Sequence, residues 1–336
     1  MKKTIATILS VCMIAAALTG CGIIAPQNSA HGETHNPSDD YYPVSIENFN
    51  QTTEYAQMPD KVVALTLNSA ELLAALGLTD ILTGIARNNN SVEDVLPEYY
   101  PMLKDKSFPE AINSGIPTLE GILGLAPNLV VANSYYFRVP SFGSLDDYSN
   151  NGVNFYITEG SYIPNATIEN TYNDIRNLGK IFGKENEAVE LISGMQDRIA
   201  AVQKKVGEQN PVRIMMFDSI SEDAYCVAGG SGLAENLIEL AGGQNVFKDA
   251  EAQFPLVGIE EIIARDPEVI VIHNYSNNPA DAQNKLDFLK NSKDLENVSA
   301  IKNNRIITIT LFAVNPGLQN VDTVEKIAAA MYPDLF

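Results

Sequence analysis

The sequence predicts an α/β protein of two similar lobes with a helical bridge between them. Three observations support this. Aliphatic strands alternate with helices along most of the chain, one helix–strand segment occurs twice, and the stretch between the copies carries no strand signal.

The repeat is read directly. Residues 118–136 are TLEGILGLAPNLVVANSYY and residues 258–276 are GIEEIIARDPEVIVIHNYS. Aligned without gaps, Glu120 meets Glu260, Ile122 meets Ile262, Pro127 meets Pro267, Val131 meets Val271 and Tyr135 meets Tyr275. The 140-residue offset between Glu120 and Glu260 is too long for a solenoid and suits duplicated domains. Each copy reads as a short helix with an acid in its first turn, where the dipole favours it, then a proline that stops the helix. A continuous aliphatic run follows, the pattern of a strand covered on both faces in a parallel sheet.

The other elements alternate in the same way. In the first lobe, 62–67 is a strand, 69–76 a helix closed by Gly77, and 81–86 and 153–158 are strands. The second lobe has strands at 212–218, 225–228, 269–273 and 306–310, with helices near 233–241 and 318–331. Between the lobes, 166–182 is one helix, punctuated by Gly183, and 184–206 a second. Ala188, Leu191, Ile192, Met195, Ile199 and Val202 lie on one face of the second helix, on the order of 34 Å long.

The N-terminus predicts export. Lys2 and Lys3 precede an apolar run (4–17) too short to span a bilayer, which ends in Leu18-Thr19-Gly20-Cys21. Small residues before a cysteine mark a lipoprotein cleavage site, so Cys21 is expected to carry the lipid anchor; an ordinary secretory signal is the plainer alternative. Only Cys226 then remains unmodified, which leaves no intramolecular disulfide; its apolar neighbours Ala224 to Ala228 suggest a small core residue. Residues 22–43 read as a polar tether in which His31, Glu33 and His35 are solvated rather than a metal tract. The expected organisation is a signal peptide (1–20), acylated cysteine and tether (21–43), N-terminal lobe (44–165), bridging helical segment (166–208) and C-terminal lobe (209–336).

Composition excludes several classes. The formal charge of −20 becomes two units more negative once Lys2 and Lys3 leave, which argues against nucleic acid and anionic lipid as partners. Gly229-Gly230-Ser231-Gly232-Leu233 lacks the last glycine of a nucleophile elbow and reads as a turn before a helix; no phosphate-cradling loop is present. His273 is the one histidine of 3 outside the tether and cannot build a multi-histidine metal site. No cofactor, no resident metal and no enzyme activity are expected, with a surface enzyme or receptor kept as the alternative class.

The chain resembles the ferric-siderophore and cobalamin type of substrate-binding proteins of ABC importers. The resemblance runs from about Pro59 to the C-terminus. It is carried by Lys61-Val62-Val63-Ala64-Leu65 through Glu71-Leu72-Leu73-Ala74-Ala75-Leu76-Gly77, and by Leu119-Glu120 through Pro127-Asn128-Leu129-Val130. Leu237 through Ala241-Gly242-Gly243-Gln244-Asn245 and Ile259-Glu260 through Pro267 to Val271 complete it. The family's usual Asp after the helix-ending proline is Asn128 in one lobe and Glu268 in the other.

The resemblance implies two Rossmann-like lobes joined by a single long bridging helix, with ligand in the cleft between them. It also implies a monomer that serves a permease dimer with its ATPase subunits, anchored to the outer face of the membrane. Ligands of parallel α/β sheets bind beyond the carboxyl ends of the strands. The residues there are Asn68, Arg87, Tyr135, Tyr136, Arg138 and Tyr162 in the first lobe, and Phe254, His273, Tyr275 and Phe312 in the second. For any single aromatic residue, packing within its own lobe is an equal alternative. Relatives place an aromatic residue against ligand where Phe254 stands, and assign glutamates at Glu120 and Glu260 to permease docking. With Arg87 and Arg138 the obvious cleft arginines and no tryptophan, the ligand expected is a metal chelate of low net charge, such as a ferric hydroxamate. A corrinoid comes second, and haem, with Tyr or His273 as axial ligand, third.

Overall fold

A computed structural model describes residues 41–87, 90–106, 117–221 and 224–336. Cys21, the signal peptide and the tether through residue 40 lie outside them. Strands β3 (Val62–Ala64), β4 (Leu82–Ile85), β5 (Leu129–Ala132) and β6 (Asn154–Ile157) form a parallel sheet of order β4-β3-β5-β6. Its helices are α1 (Leu67–Ala75), α2 (Tyr100–Leu103), α3 (Leu119–Leu123) and α4 (Leu145–Ser149). This is the N-lobe.

The C-lobe sheet is mixed. Strands β7 (Val212–Ser221), β11 (Val269–Asn274) and β12 (Ile306–Thr310) run parallel, and β9 (Gly243–Asn245) joins the first half of β7 in the same sense. Beyond that half, β8 (Ala224–Val227) folds back antiparallel on β7, and β10 (Leu256–Val257) pairs antiparallel with β8. Two further helices, α5 (Ile168–Phe182) and α6 (Glu185–Val206), lie between the lobes in sequence; α7 (Leu233–Leu240), α8 (Ile259–Arg265), α9 (Asp281–Asn291), α10 (Ser299–Lys302) and α11 (Asn320–Met331) follow.

The aliphatic strands are covered on both faces, as their unbroken hydrophobicity implies. Val62 and Ala64 of β3 and Leu129 and Val131 of β5 join one large core, together with Ile214 and Met216 of β7 and Val269 and Val271 of β11. Their alternate neighbours face cores private to each lobe: Val63 and Val130 in one, Met215 and Ile270 in the other. The shared core is filled by α1, α5, α6, α7 and α11, so one apolar mass runs through both lobes. Such packing resists large relative motion, because opening it would expose close-packed surface.

The long helix α6, 22 residues, joins the lobes. Ala188, Ile192, Met195, Ile199 and Val202 are buried as their spacing predicts, while Leu191 is half-buried and Val206 joins the buried face. Gly183 takes the left-handed conformation (φ 63°) that ends α5 and turns the chain into α6. Arg198 of α6 reaches Asp322 and Glu325 of α11, each at 2.7 Å, and ties the helix to the C-lobe.

Two features lack a strong sequence signal. A hairpin of β1 (Val44–Asn48) and β2 (Gln51–Tyr55) turns through Phe49 and Asn50, both at positive φ. Its Asn48 amide donates to Ile157 O (2.8 Å) and accepts from Ile157 N (2.7 Å), so a side chain occupies the edge of β6 that another strand would seek. Helix α9 is the second; its apolar face is short and it buries chiefly Lys285 and Leu289. No helix among the described residues is long and apolar enough to cross a membrane.

Candidate functional site

The carboxyl ends of both sheets converge on a cavity of about 380 Å³, within the range of small-ligand sites. From the N-lobe it is lined by Thr66 and Asn68 after β3, by Asn90, by Asn133, Ser134, Tyr135 and Arg138 after β5, and by Gly160 and Ser161 after β6. These walls are held by side chains that bond backbone. Thr66 Oγ1 caps α1 by accepting from Ser69 N at 3.0 Å. Ser134 donates two bonds to Ser161, from N to Oγ (2.9 Å) and from Oγ to the carbonyl O (2.7 Å). The turn that carries Gly160 is anchored from behind. Asp174 of α5 accepts from Glu159 N (3.0 Å) and Tyr156 Oη (2.8 Å). Burial pushes the Asp174 carboxyl well above the usual carboxylate range, against the opposing pull of those bonds.

The C-lobe wall is chemically different. The β7–β8 register shifts between Phe217 and Ser219, leaving Asp218 as a bulge residue. In the β7–β11 register Met216 faces Val271, and two residues on Asp218 meets His273: its Oδ1 lies 3.2 Å from Nδ1 of the ring. Tyr275 Oη donates to Asp218 Oδ2 at 2.8 Å. Lys285 of α9 donates to His273 O and Asp281 Oδ2, both at 2.7 Å, and sits 4.3 Å over the Tyr275 ring. Burial raises the Asp218 carboxyl, but the His273 and Tyr275 bonds and the Lys285 charge outweigh it and hold the group below its ordinary range. For Tyr275, burial and then the Asp218 charge push the phenol up, so it stays a neutral donor to that carboxylate.

Of the residues expected from the strand ends, the structure brings Asn68, Tyr135, Arg138, Phe254 and Tyr275 together on the cavity wall. Tyr135 and Phe254 are 49% and 40% exposed, large apolar surface left open at the rim. Arg138 is exposed and has no ion-pair partner among the described residues. Asn68 is buried and donates across the cleft to Phe312 O at 2.9 Å. His273 is one layer back, fully buried, with its ring edge-on to Phe254 at 6.3 Å.

Besides His273, four expected residues are not on the wall. Tyr136 is fully buried and donates to Leu65 O. Phe312 belongs to the shared core. Tyr162 packs edge-on to Phe49 and accepts from Phe49 N at 3.0 Å, holding the hairpin turn. Arg87 is half-buried in the segment before Asn90 and lies off the lining. Tyr136, Phe312 and Tyr162 turn their side chains into packing instead of the cleft.

Cys226 differs from its expected core position. It is half-buried on the cavity wall, where burial, with the Asp218 charge in support, pushes the thiol up to about 11. The protonated thiol is a poor nucleophile. The Gly229–Gly232 run is explained by close approach. A side chain at Gly229 would overlap Ala252 O, and one at Gly230 would overlap Lys248 O. Gly229 N and Gly230 N donate to Gln253 O (3.0 Å) and Ala250 O (2.9 Å), which sets Gln253 and Phe254 against the cavity. Asp218, Gln253 and Asn315 were not anticipated; the bulge at Asp218 has no local composition mark.

Glu120 and Glu260 occupy matching places, each exposed in the first turn of its helix, α3 and α8, with no ion-pair partner among the described residues. No group of three or more His, Cys, Asp or Glu among the described residues could hold a metal ion.

Two α/β lobes, one joining helix and a polar-and-aromatic cavity at the facing strand ends define a two-lobed solute-binding protein. The chain belongs to the periplasmic binding protein family, whose model matches residues 62–311. It is 22% identical to an uncharacterized ABC transporter substrate-binding lipoprotein of Bacillus subtilis, over 100% of this chain and 99% of that protein. It is 26% identical to a vitamin B12-binding protein of Vibrio parahaemolyticus, over 73% of this chain and 83% of the relative. The solved structure of an ABC-type Fe3+-hydroxamate transport system from Saccharomonospora viridis superposes with a TM-score of 0.73 at 20% identity, covering 86% of this chain and 99% of that one. The protein is a substrate-binding protein of the ABC-importer class.

Proposed function

We propose that this protein is a lipoprotein, anchored through Cys21 outside the cell membrane, that captures an iron-siderophore-type chelate and delivers it to an ABC permease. The observation that carries the reading is the makeup of the cavity: amide side chains, two open aromatic rings, Tyr135 and Phe254, and one arginine, Arg138, with no ion-pair partner among the described residues. A strongly anionic catecholate complex would call for several cations. A chelate of low charge with carbonyl oxygens on its surface, such as a ferric hydroxamate, needs donors and aromatic contact instead. The likeness to a B12-binding protein supports a corrinoid as second reading. Haem is less favoured, because His273 is fully buried and bonded to Asp218 rather than open to the cavity. Glu120 and Glu260, exposed and paired by the repeat, are the points proposed to meet the permease.

Native mass spectrometry and a visible spectrum of protein from rich medium should show a bound metal chelate. Titration with a ferric trihydroxamate should quench tyrosine emission, which no tryptophan obscures. Arg138→Ala should weaken binding about tenfold, the low end for a charge-assisted hydrogen bond, and Arg87→Ala should leave it unchanged. Equal loss from both would mean that the cavity is not where the ligand sits. Joint replacement of Glu120 and Glu260 by Ala should impair uptake while ligand affinity holds; normal uptake would remove them as docking points.

A further inference from the structure

Asp218 is a carboxylate in the wall of the cavity, and the cations around it are already committed. Lys285, the nearest ammonium, is bonded to Asp281 and to His273 O. His273 meets Asp218 through Nδ1, and its fully buried Nε2 has no hydrogen-bond partner among the described residues. Lys285 and Asp281 offset each other, so Asp218 stands as the carboxylate of the C-lobe wall. Across the cavity, Arg138 has no ion-pair partner among the described residues on the N-lobe side, and Asn68, Asn133, Gln253 and Asn315 between them are neutral. The cleft is polarised along the line from one lobe to the other.

We propose, on the reading that the cargo is a metal chelate, that Asp218 is a specificity residue favouring chelates with a cationic or strongly hydrogen-bond-donating arm. That arm lies against the C-lobe while the carbonyl surface of the chelate meets Arg138. Tyr275 is a positioning residue; its hydroxyl occupies Oδ2 and fixes the carboxylate in the bulge. The selection works mainly by penalty. A ligand that covers Asp218 without offering a donor strips water from a charge and returns nothing, whereas an ammonium replaces that water with a charge-assisted bond.

The test uses two ferric complexes with the same coordination sphere. The ferric complex of desferrioxamine B carries a pendant ammonium and one net positive charge; the complex of its N-acetyl derivative is neutral. The wild-type protein should bind the cationic complex about tenfold more tightly, the low end for a hydrogen bond to a charged group. Asp218→Asn should bind the two equally, and Asp218→Glu, which keeps the charge, should retain the preference. Equal wild-type affinities would overturn the role of Asp218 while leaving the chelate reading intact. Failure of the wild-type protein to bind either complex would overturn the hydroxamate reading and this inference with it. If Asp218→Asn does not fold, the wild-type pair and Asp218→Glu still decide: a glutamate variant that binds both complexes equally sinks the proposal.

Discussion

The N-lobe enters β5 through Ala126 in the left-handed conformation (φ 49°), then Pro127 and Asn128; the C-lobe enters β11 through Asp266 (φ 42°), then Pro267 and Glu268. Asn128 N donates to Lys61 O at 2.9 Å and its Oδ1 accepts from Lys61 N at 3.2 Å. Glu268 N donates to Arg213 O at 2.8 Å and its Oε2 accepts from Arg213 N at 3.1 Å. The two clamps thus hold the neighbouring strand, β3 or β7, in the same way, with an amide in one lobe and a carboxylate in the other. At the far ends of the same strands the likeness stops. Tyr135 stands open at the rim, while its repeat partner Tyr275 is bonded to Asp218 in a buried charged cluster with no counterpart among the described N-lobe residues. The duplication has been kept where strands start and has diverged where they meet the cavity.

If that cluster is what distinguishes the C-lobe, breaking it should have the largest effect. Lys285→Ala leaves Asp281 and His273 O without their shared donor, in a pair whose side chains are 7% and 16% exposed. Removing one partner of a buried pair costs about 3–5 kcal/mol, measurable by urea unfolding. A loss below about 1 kcal/mol, the range of an exposed pair, would mean that the cluster does not hold the lobe together.

The seam between the lobes offers the next test. Glu71 of α1 accepts from Leu96 N (2.6 Å) and from Gln319 Nε2 (3.0 Å) just before α11, and its second oxygen is buried without a partner among the described residues. Burial raises its carboxyl from 4.5 to about 7, against those two bonds. The unfolded chain releases this proton near 4.5 and the folded chain near 7. The stability it contributes is therefore complete below the lower value and is lost as pH rises to the higher one. Glu71→Gln cannot ionise. It should be more stable than the wild type above pH 7, by up to roughly 3 kcal/mol for a shift of this size, and equal to it in acid. A difference that does not change with pH would show that Glu71 does not titrate at the seam.

The sequence was informative about the lower half of each lobe because the signals there are local. A helix-breaking proline, a run of aliphatic residues and a 140-residue echo can all be read along the chain. Val62 to Ala64 and Val269 to Asn274 lie inside or within one residue of their expected spans, and β12 matches at both ends. The cavity was legible only by half. Position at a strand end does not say which way a side chain turns, so Tyr136 and Phe312 were expected in the cleft and are packed in cores. Asp218 was missed because its exposure to the cavity depends on a bulge set by pairing with β8, and pairing is not written in either strand alone. The hairpin at 44–55 was missed because its turn is Phe49-Asn50, not a glycine pair, and is held by Tyr162 from more than a hundred residues away.

The smallest expected effect separates the two halves most directly. Asn128→Ala and Glu268→Ala each remove one side-chain acceptor from the backbone N–H of a neighbouring strand's first residues, at Lys61 and Arg213. Both sites are partly exposed, so water can replace the lost acceptor and each substitution should cost about 0.5–1.5 kcal/mol. The two costs should be similar, since the clamps have the same geometry, and should add in the double variant because the sites are in different lobes and share no partner. Ligand affinity should not change, because the clamps act at the strand ends opposite the cavity. Urea unfolding and a ligand titration on the same three proteins measure both quantities. A change in affinity as large as that from Arg138→Ala, with the fold intact, would mean that the lower ends communicate with the cleft, and the division between a conserved foundation and a divergent rim would have to be abandoned.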